Sequence, residues 1–130
     1  MILVDSSVWI DYFKGVNNEP SDRPDALLGQ EPLLVGDLIL AEVLQGFPSE
    51  STFEQARKPL ISCTVIDVGD EDIAVRAARN YGVLRGFGIT VRKTIDTIIA
   101  TRCIVSNYRL LHNDRDFDAF VTHLGLQAVV

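Results

Sequence analysis

The chain has 130 residues, 47% of them hydrophobic and 23% charged, with a formal net charge of −6. That length suits one domain with a real core, and the composition is that of an ordinary globular protein. No apolar run approaches the roughly 18 residues a membrane span needs, and Cys63 and Cys103 fit no metal or redox spacing, which excludes a disulfide framework or a thiolate metal centre and points to reduced thiols in the cytoplasm.

The opening "MILV" is a continuous apolar run, as expected of a strand covered on both faces. It meets Asp5 after four residues, too soon for a signal-peptide core. Ser6 or Ser7 is expected to cap a helix through "VWIDYFKG", ended by Gly15. Trp9, Tyr12 and Phe13 offer this helix more aromatic area than one face easily buries: either Trp9 and Phe13, four apart, are both core, or part of the set lines a hydrophobic groove for a partner segment or a second subunit. Residues 16–24 read as a loop, and a short helix is expected near 25–30. "PLLVG" predicts a second strand, after which Asp37 is expected to cap a helix through "LILAEVLQGF" that Pro48 stops.

"STFEQARKPL" reads as helical, and "CTVIDV" as a β-branched third strand. "DEDIAVRAARNYGVLRG" predicts an amphipathic helix with acids in its first turn, broken by "GFG". Thr94 is expected to cap "IDTIIATRCIVSN". "RLLH" predicts a fourth strand, "DFDAFVTHLG" a helix and "LQAVV" a last strand. Alternating strands and helices predict an α/β fold with a mainly parallel central sheet flanked by helices, one domain across residues 1–130.

The charge is unevenly spread. Residues 76–115 hold eight basic side chains against Asp96 and Asp114, a net of +6, which leaves −12 for the rest. Such a segment suits a phosphate-facing surface even on an acidic protein, although solvated helix arginines alone would give the same count.

Four acids stand in apolar surroundings, where acids are rarely buried unless paired or bound to metal. Asp5 follows the first strand and Asp114 the fourth, so in a parallel sheet both emerge at the carboxyl edge, where open α/β folds bind ligands. Asp96 shares a helix face with Ile99, Ala100 and Cys103, and Glu42 is mid-helix after Leu38 and Ile39. Singly, each has a plain structural explanation as a cap, a turn or a solvated side chain. Together, four carboxylates at one edge could not all stay ionised without a cation. All-oxygen ligation points to Mg²⁺ or Mn²⁺, with Asp116 as a further ligand or as a neighbour tuning Asp114. His112 is a structural or substrate-contacting candidate, and His123 reads as a surface residue.

These fragments resemble a PIN domain, specifically a VapC-like toxin of a type II toxin–antitoxin system. "MILVDSSVWIDYF" looks like the family's opening strand, acid, hydroxyl pair and helix; "LILAEVLQG", "TIDTIIA" and "LLHNDRDF" look like its later motifs, with Glu42, Asp96 and Asp114 as their acids. The resemblance covers nearly the whole chain. It implies a Mg²⁺- or Mn²⁺-dependent endoribonuclease that cleaves RNA phosphodiesters with water as nucleophile, a homodimer and a cognate VapB-like antitoxin. It implies Asp5, Glu42, Asp96 and Asp114 as catalytic and metal-holding, with Asp116 beside them and Ser7 near metal or substrate. Arg92, Lys93 and Arg115 are expected to meet the RNA phosphates. The chain departs from the family at His112, where Thr or Ser is usual, and at Arg92 and Lys93, where smaller or polar residues are common. The competing reading is a catalytically inactive PIN-like module that only binds RNA or protein. A receiver or a dehalogenase-like phosphatase is excluded, since "VDSSV" has neither paired acids nor Asp-x-Asp.

Overall fold

The computed structural model describes residues 1–15 and 31–129, so the loop expected at 16–24 and the helix expected near 25–30 lie outside the described residues. Five strands are present among the described residues: β1 (Ile2–Val4), β2 (Leu33–Gly36), β3 (Thr64–Ile66), β4 (Arg109–Leu111) and β5 (Ala128–Val129). They form one sheet in the order β3-β2-β1-β4-β5, and every pairing is parallel.

A parallel sheet needs crossovers, and the helices provide them. Helix α1 (Ser6–Lys14) follows β1. Helices α2 (Asp37–Leu44) and α3 (Glu50–Ser62) lie between β2 and β3, and α4 (Glu71–Gly86) and α5 (Thr94–Ser106) between β3 and β4. A 3-10 turn (Arg115–Phe117) and α6 (Asp118–Leu124) lead to β5. Helix α2 packs on α1 and α3, whereas α4 packs on α5 and α6. Right-handed crossovers put these two sets on opposite faces of the sheet.

Burial on both faces explains the unbroken apolar runs of the central strands. Ile2, Leu3, Val4, Leu34, Val35, Leu110 and Leu111 are fully buried. Each such side chain contributes about 1.5–3 kcal/mol relative to exposure. Strand β3 differs because it is an edge strand, and Thr64 and Val65 are exposed.

The strand order creates a switch point. The chain leaves β1 for β2 on one side, while β4 docks on the other. Val4 pairs with Leu111, and the next backbone N–H, that of Asp5, donates to the Leu111 carbonyl at 2.9 Å. The carboxyl ends of β1 and β4 therefore open into one crevice.

Several expected caps are corrected by the geometry. Asp5, not Ser6 or Ser7, is the N-cap of α1, accepting from the Ser7 N–H. Gly36 is the N-cap of α2, so Asp37 is its first residue; the Asp37 carboxylate accepts from the backbone N–H groups of Leu38 at 2.8 Å and Val68 at 3.0 Å. Lys93, not Thr94, is the N-cap of α5, with no side-chain capping bond. The aromatic set of α1 follows the core alternative most closely at Trp9. Trp9 is core, stacked on Phe13 at 6.0 Å, and Phe13 meets Phe47 edge-on at 5.6 Å. Tyr12 and Phe13 are half-buried.

Candidate metal and nucleic-acid site

Asp5 stands one residue beyond β1 and is 3% exposed. Its Oδ2 accepts from the Ser7 N–H at 3.0 Å and the Ser7 hydroxyl at 2.6 Å. Its Oδ1 is buried without a hydrogen-bond partner. Such an orphaned oxygen is costly, because no donor replaces the lost water. Burial pushes the Asp5 carboxyl above the usual range, the Ser7 and Ser6 bonds oppose this, and the charge of Asp114 adds to it.

Asp96 lies in the first turn of α5, which carries it to the same crevice. It is 6% exposed, and its Oδ2 also lacks a partner. Burial and then the neighbouring Asp5 push it up to about 6, with Lys93 opposing and Asp114 and Asp116 adding smaller pushes.

Asp114 follows β4 and caps the 3-10 turn, its Oδ1 accepting from the Asp116 N–H at 2.9 Å. Its own N–H donates to His112 Nδ1 at 3.3 Å, and the imidazole leans on Phe117 with ring centres 5.1 Å apart. His112 thus shapes the turn that aims Asp114. Both oxygens of Asp116 accept from Arg92 Nη2, at 2.9 and 3.2 Å. Lys93 Nζ stands 3.8 Å from Asp114 Oδ2. Glu42, half-buried on α2, accepts from the Ser6 hydroxyl at 3.4 Å; burial and the charge of Asp5 push its carboxyl up.

Among the described residues, Asp96, Asp114 and Asp116 each offer an oxygen, all within 4.8 Å of one another. Asp5 and Glu42 are not in that tight trio, but Asp5 is coupled by charge to Asp96, Asp114 and Glu42. The donors are all carboxylate oxygens, and two of the buried ones are orphaned. This set fits a hard divalent ion, and the absence of thiolate or imidazole donors sets it apart from a zinc site.

The basic segment is narrower as a surface than its charge suggests. Arg102 donates to the Val68 carbonyl at 2.8 Å and to Asp70 at 3.0 Å. Arg109 grips both oxygens of Glu31, Arg76 pairs with Asp72, and Arg85 lies over the Tyr81 ring. Arg92, Lys93 and Arg115 are exposed; Arg92 and Lys93 reach Asp116 and Asp114, and Arg115 lies between those two acids in sequence.

Ser7 does more than a lone hydroxyl in a motif suggests. It donates to Asp5 and accepts from the Asn113 N–H at 3.0 Å, tying the first strand's acid to the loop after β4. Asn113 was not foreseen at all. Its side chain donates to Asp11 at 2.8 Å, a contact across 102 residues of chain that no local pattern announces.

The chain is similar to known proteins in sequence and in fold. The PIN domain family model matches residues 2–121. VapC ribonuclease Mb1587 of Mycobacterium bovis is 31% identical over 98% of this chain and 97% of its own length. Ribonuclease VapC11 of Mycobacterium tuberculosis shows the same identity and coverage. In fold, the chain is similar to one in the structure of VapBC2 from Rickettsia felis bound to a promoter DNA fragment, with a TM-score of 0.75, 16% identity, and coverage of 99% of this chain and 98% of the other. By sequence over almost its full length, the chain belongs to the PIN-domain family and, within it, to the VapC proteins.

Proposed function

We propose that this chain is a Mg²⁺- or Mn²⁺-dependent endoribonuclease and the toxin of a toxin–antitoxin pair. The observation that carries the reading is the pair of buried, unpartnered carboxylate oxygens, Asp5 Oδ1 and Asp96 Oδ2, beside the Asp96–Asp114–Asp116 trio. A module that only bound RNA would gain nothing from orphaned carboxylates facing a polyanion. The ribonuclease names of the two mycobacterial relatives support the reaction. The VapBC2 complex supports a VapB-like antitoxin as partner. A homodimer in the cytoplasm, with one nuclease domain across residues 1–130, completes the proposal. Among the described residues no helix is long and apolar enough to cross a membrane.

In this reading Asp5, Asp96, Asp114 and Asp116, with Glu42 beside them, hold the divalent ion. When bound, the ion makes water a better nucleophile at neutral pH and offsets charge on the phosphodiester. Ser7 keeps Asp5 Oδ2 hydrogen-bonded, so Oδ1 is the oxygen left to face the pocket. Glu42 takes the attacking water's proton at Oε2, since Oε1 is engaged by Ser6 and burial and Asp5 raise its pKa, and the departing ribose oxygen takes a proton from solvent water. Arg92, Lys93 and Arg115 meet the phosphates flanking the cleaved bond, and Ser7 contacts substrate through its remaining lone pair.

The test is induced expression with a matched in vitro assay. The wild-type chain should arrest growth and cleave structured RNA with Mg²⁺ but not with EDTA. Asp5→Asn at equal protein level should do neither. Equal arrest by the two proteins would remove the catalytic claim.

A further inference from the structure

Arg92 and Lys93 sit where cations are electrostatically out of place. They immediately precede α5, and Lys93 occupies its N-cap position, usually filled by Ser, Thr, Asn or Asp. The positive end of the helix dipole disfavours a cation there. Neither side chain gains much from burial, since Arg92 is 78% exposed and Lys93 61%. Both nonetheless reach back onto the acid pocket. Arg92 engages both oxygens of Asp116, and Lys93 faces Asp114 Oδ2.

The pairing is lopsided. The Asp116 side chain is only 17% exposed and that of Asp114 23%, so the carboxylates are fixed while their cations stand in solvent. An ion pair whose cation stands in solvent is screened by salt and must order a long side chain, which offsets much of its attraction. Its cation can therefore leave at low cost. Between them the two cations stand on two of the three carboxylates that the pocket offers to a metal.

We propose that Arg92 and Lys93 are a displaceable internal counter-cation: they compete with the divalent ion for Asp116 and Asp114, and so set the ion concentration at which the pocket loads. The inference rests on the metal reading of the site and adds a regulatory role for this chain's own residues. Without the ion, the two side chains offset the mutual repulsion of the carboxylates. With the ion, the same cations repel it until they turn outward to solvent or to substrate phosphate. A pocket loaded in this way answers to the free divalent-ion level and to ionic strength, not to the acids alone.

The test is Mn²⁺ binding to the full chain, followed by electron paramagnetic resonance of free Mn²⁺ and by thermal melts, with no RNA present. The R92Q/K93Q double variant should bind Mn²⁺ about 3- to 10-fold more tightly than wild type, with the difference shrinking as salt rises. Without metal it should melt no higher than wild type. R92K keeps the charge but loses the reach of the guanidinium Nη2 that both Asp116 oxygens share, and should fall between the two. R79Q/K58Q makes the same change in net charge on exposed residues of other helices, and should bind as wild type does. Equal or weaker Mn²⁺ affinity in R92Q/K93Q would show that the pair builds the site instead of guarding it, and would overturn the proposal. An equal gain in R79Q/K58Q would reduce the effect to net charge and overturn it too. If wild type took up no Mn²⁺, the metal reading itself would fall, an outcome distinct from the other two.

Discussion

Asp70 and Asp96 hold nearly the same local position, at the starts of two helices packed against each other, and the protein treats them in opposite ways. Asp70 is the N-cap of α4; its Oδ1 accepts from the Ile73 N–H at 2.8 Å and its Oδ2 from Arg102 at 3.0 Å. Those bonds hold its carboxyl below the usual range. Asp96, in the first turn of α5, is buried with an orphaned oxygen among three other acids, and its carboxyl is pushed up to about 6. The contrast extends along the sheet edge. Asp37 and Asp70 follow β2 and β3, and both are satisfied by backbone N–H groups. Asp5 and Asp114 follow β1 and β4, the strands that flank the switch point, and they face the unsatisfied pocket. Emergence at the carboxyl edge is therefore not what brings an acid to the pocket; emergence at the switch point is.

The sharpest way to break this comparison is to neutralise Asp96. Asn has nearly the same shape and removes one charge. Asp96→Asn should lower RNA cleavage by about 10³-fold, the scale seen when one preorganised electrostatic group is lost from a reaction site. It should also lose most of the metal response. Wild type should gain about 2.7 kcal/mol at a hundred times the dissociation constant for Mn²⁺. Cleavage rates and melts with titrated Mn²⁺ measure both. A variant that responds to Mn²⁺ as wild type does would make Asp96 a structural residue like Asp70.

A smaller effect is expected without metal. The folded-state pKa of Asp96 is about 6, above that of an unfolded aspartate, so the folded protein binds the extra proton between about pH 4 and 6. Metal-free stability should therefore fall as pH rises through that window and level off above it. The loss attributable to Asp96 is at most about 3 kcal/mol. Asp96→Asn should lack this slope and be the more stable of the two at neutral pH. Urea unfolding in EDTA at several pH values reads the difference between the two proteins. A variant less stable than wild type at neutral pH would mean that the charge at Asp96 is satisfied.

The described strands and helices, and the gathering of Asp5, Asp96 and Asp114 at one edge, were legible in the sequence because each rests on a local signal. Val4-Asp5 and Leu111 through Asp114 show an apolar run meeting a carboxylate, and the spacing of Asp96 to Ile99, Ala100 and Cys103 shows a buried helix face. The caps were less legible. Ser6, Ser7 and Asp5 are adjacent and all suit an N-cap, and only the pairing of Asp5 with the backbone beyond β1 decides among them. The satisfied state of Asp37 and Asp70 was not legible at all, because it depends on distant chain. Val68 reaches Asp37 only because Gly36 has no Cβ, which would otherwise lie 2.2 Å from Val68 Cγ2. Likewise the +6 of the basic stretch overstates its open surface, because Arg102 and Arg109 are engaged by Asp70 and Glu31, partners far away in sequence. Strand order separates the two kinds of acid, and strand order is a tertiary fact.

Asp70→Asn tests the other side of the comparison and should have the smallest effect. Asn can still accept from the Ile73 N–H, so the helix cap survives and only the charge facing Arg102 is lost. The Mn²⁺ response should therefore match that of wild type, since Asp70 is no part of the pocket. In EDTA the sign of the pH effect is opposite to that for Asp96. The folded-state pKa of Asp70 is lowered, so its contribution to stability is present above the unfolded pKa of about 3.9 and is lost as pH falls through the folded value. Wild type and Asp70→Asn should thus melt together in acid and separate at neutral pH, with wild type slightly higher. Asp96→Asn should also converge with wild type in acid, yet separate at neutral pH with the variant higher. The two single-atom-scale changes, both removing a negative charge from a helix start, should move melting temperature in opposite directions in the same buffer. If both lower it, or if Asp70→Asn also blunts the Mn²⁺ response, the division between satisfied and metal-facing acids fails.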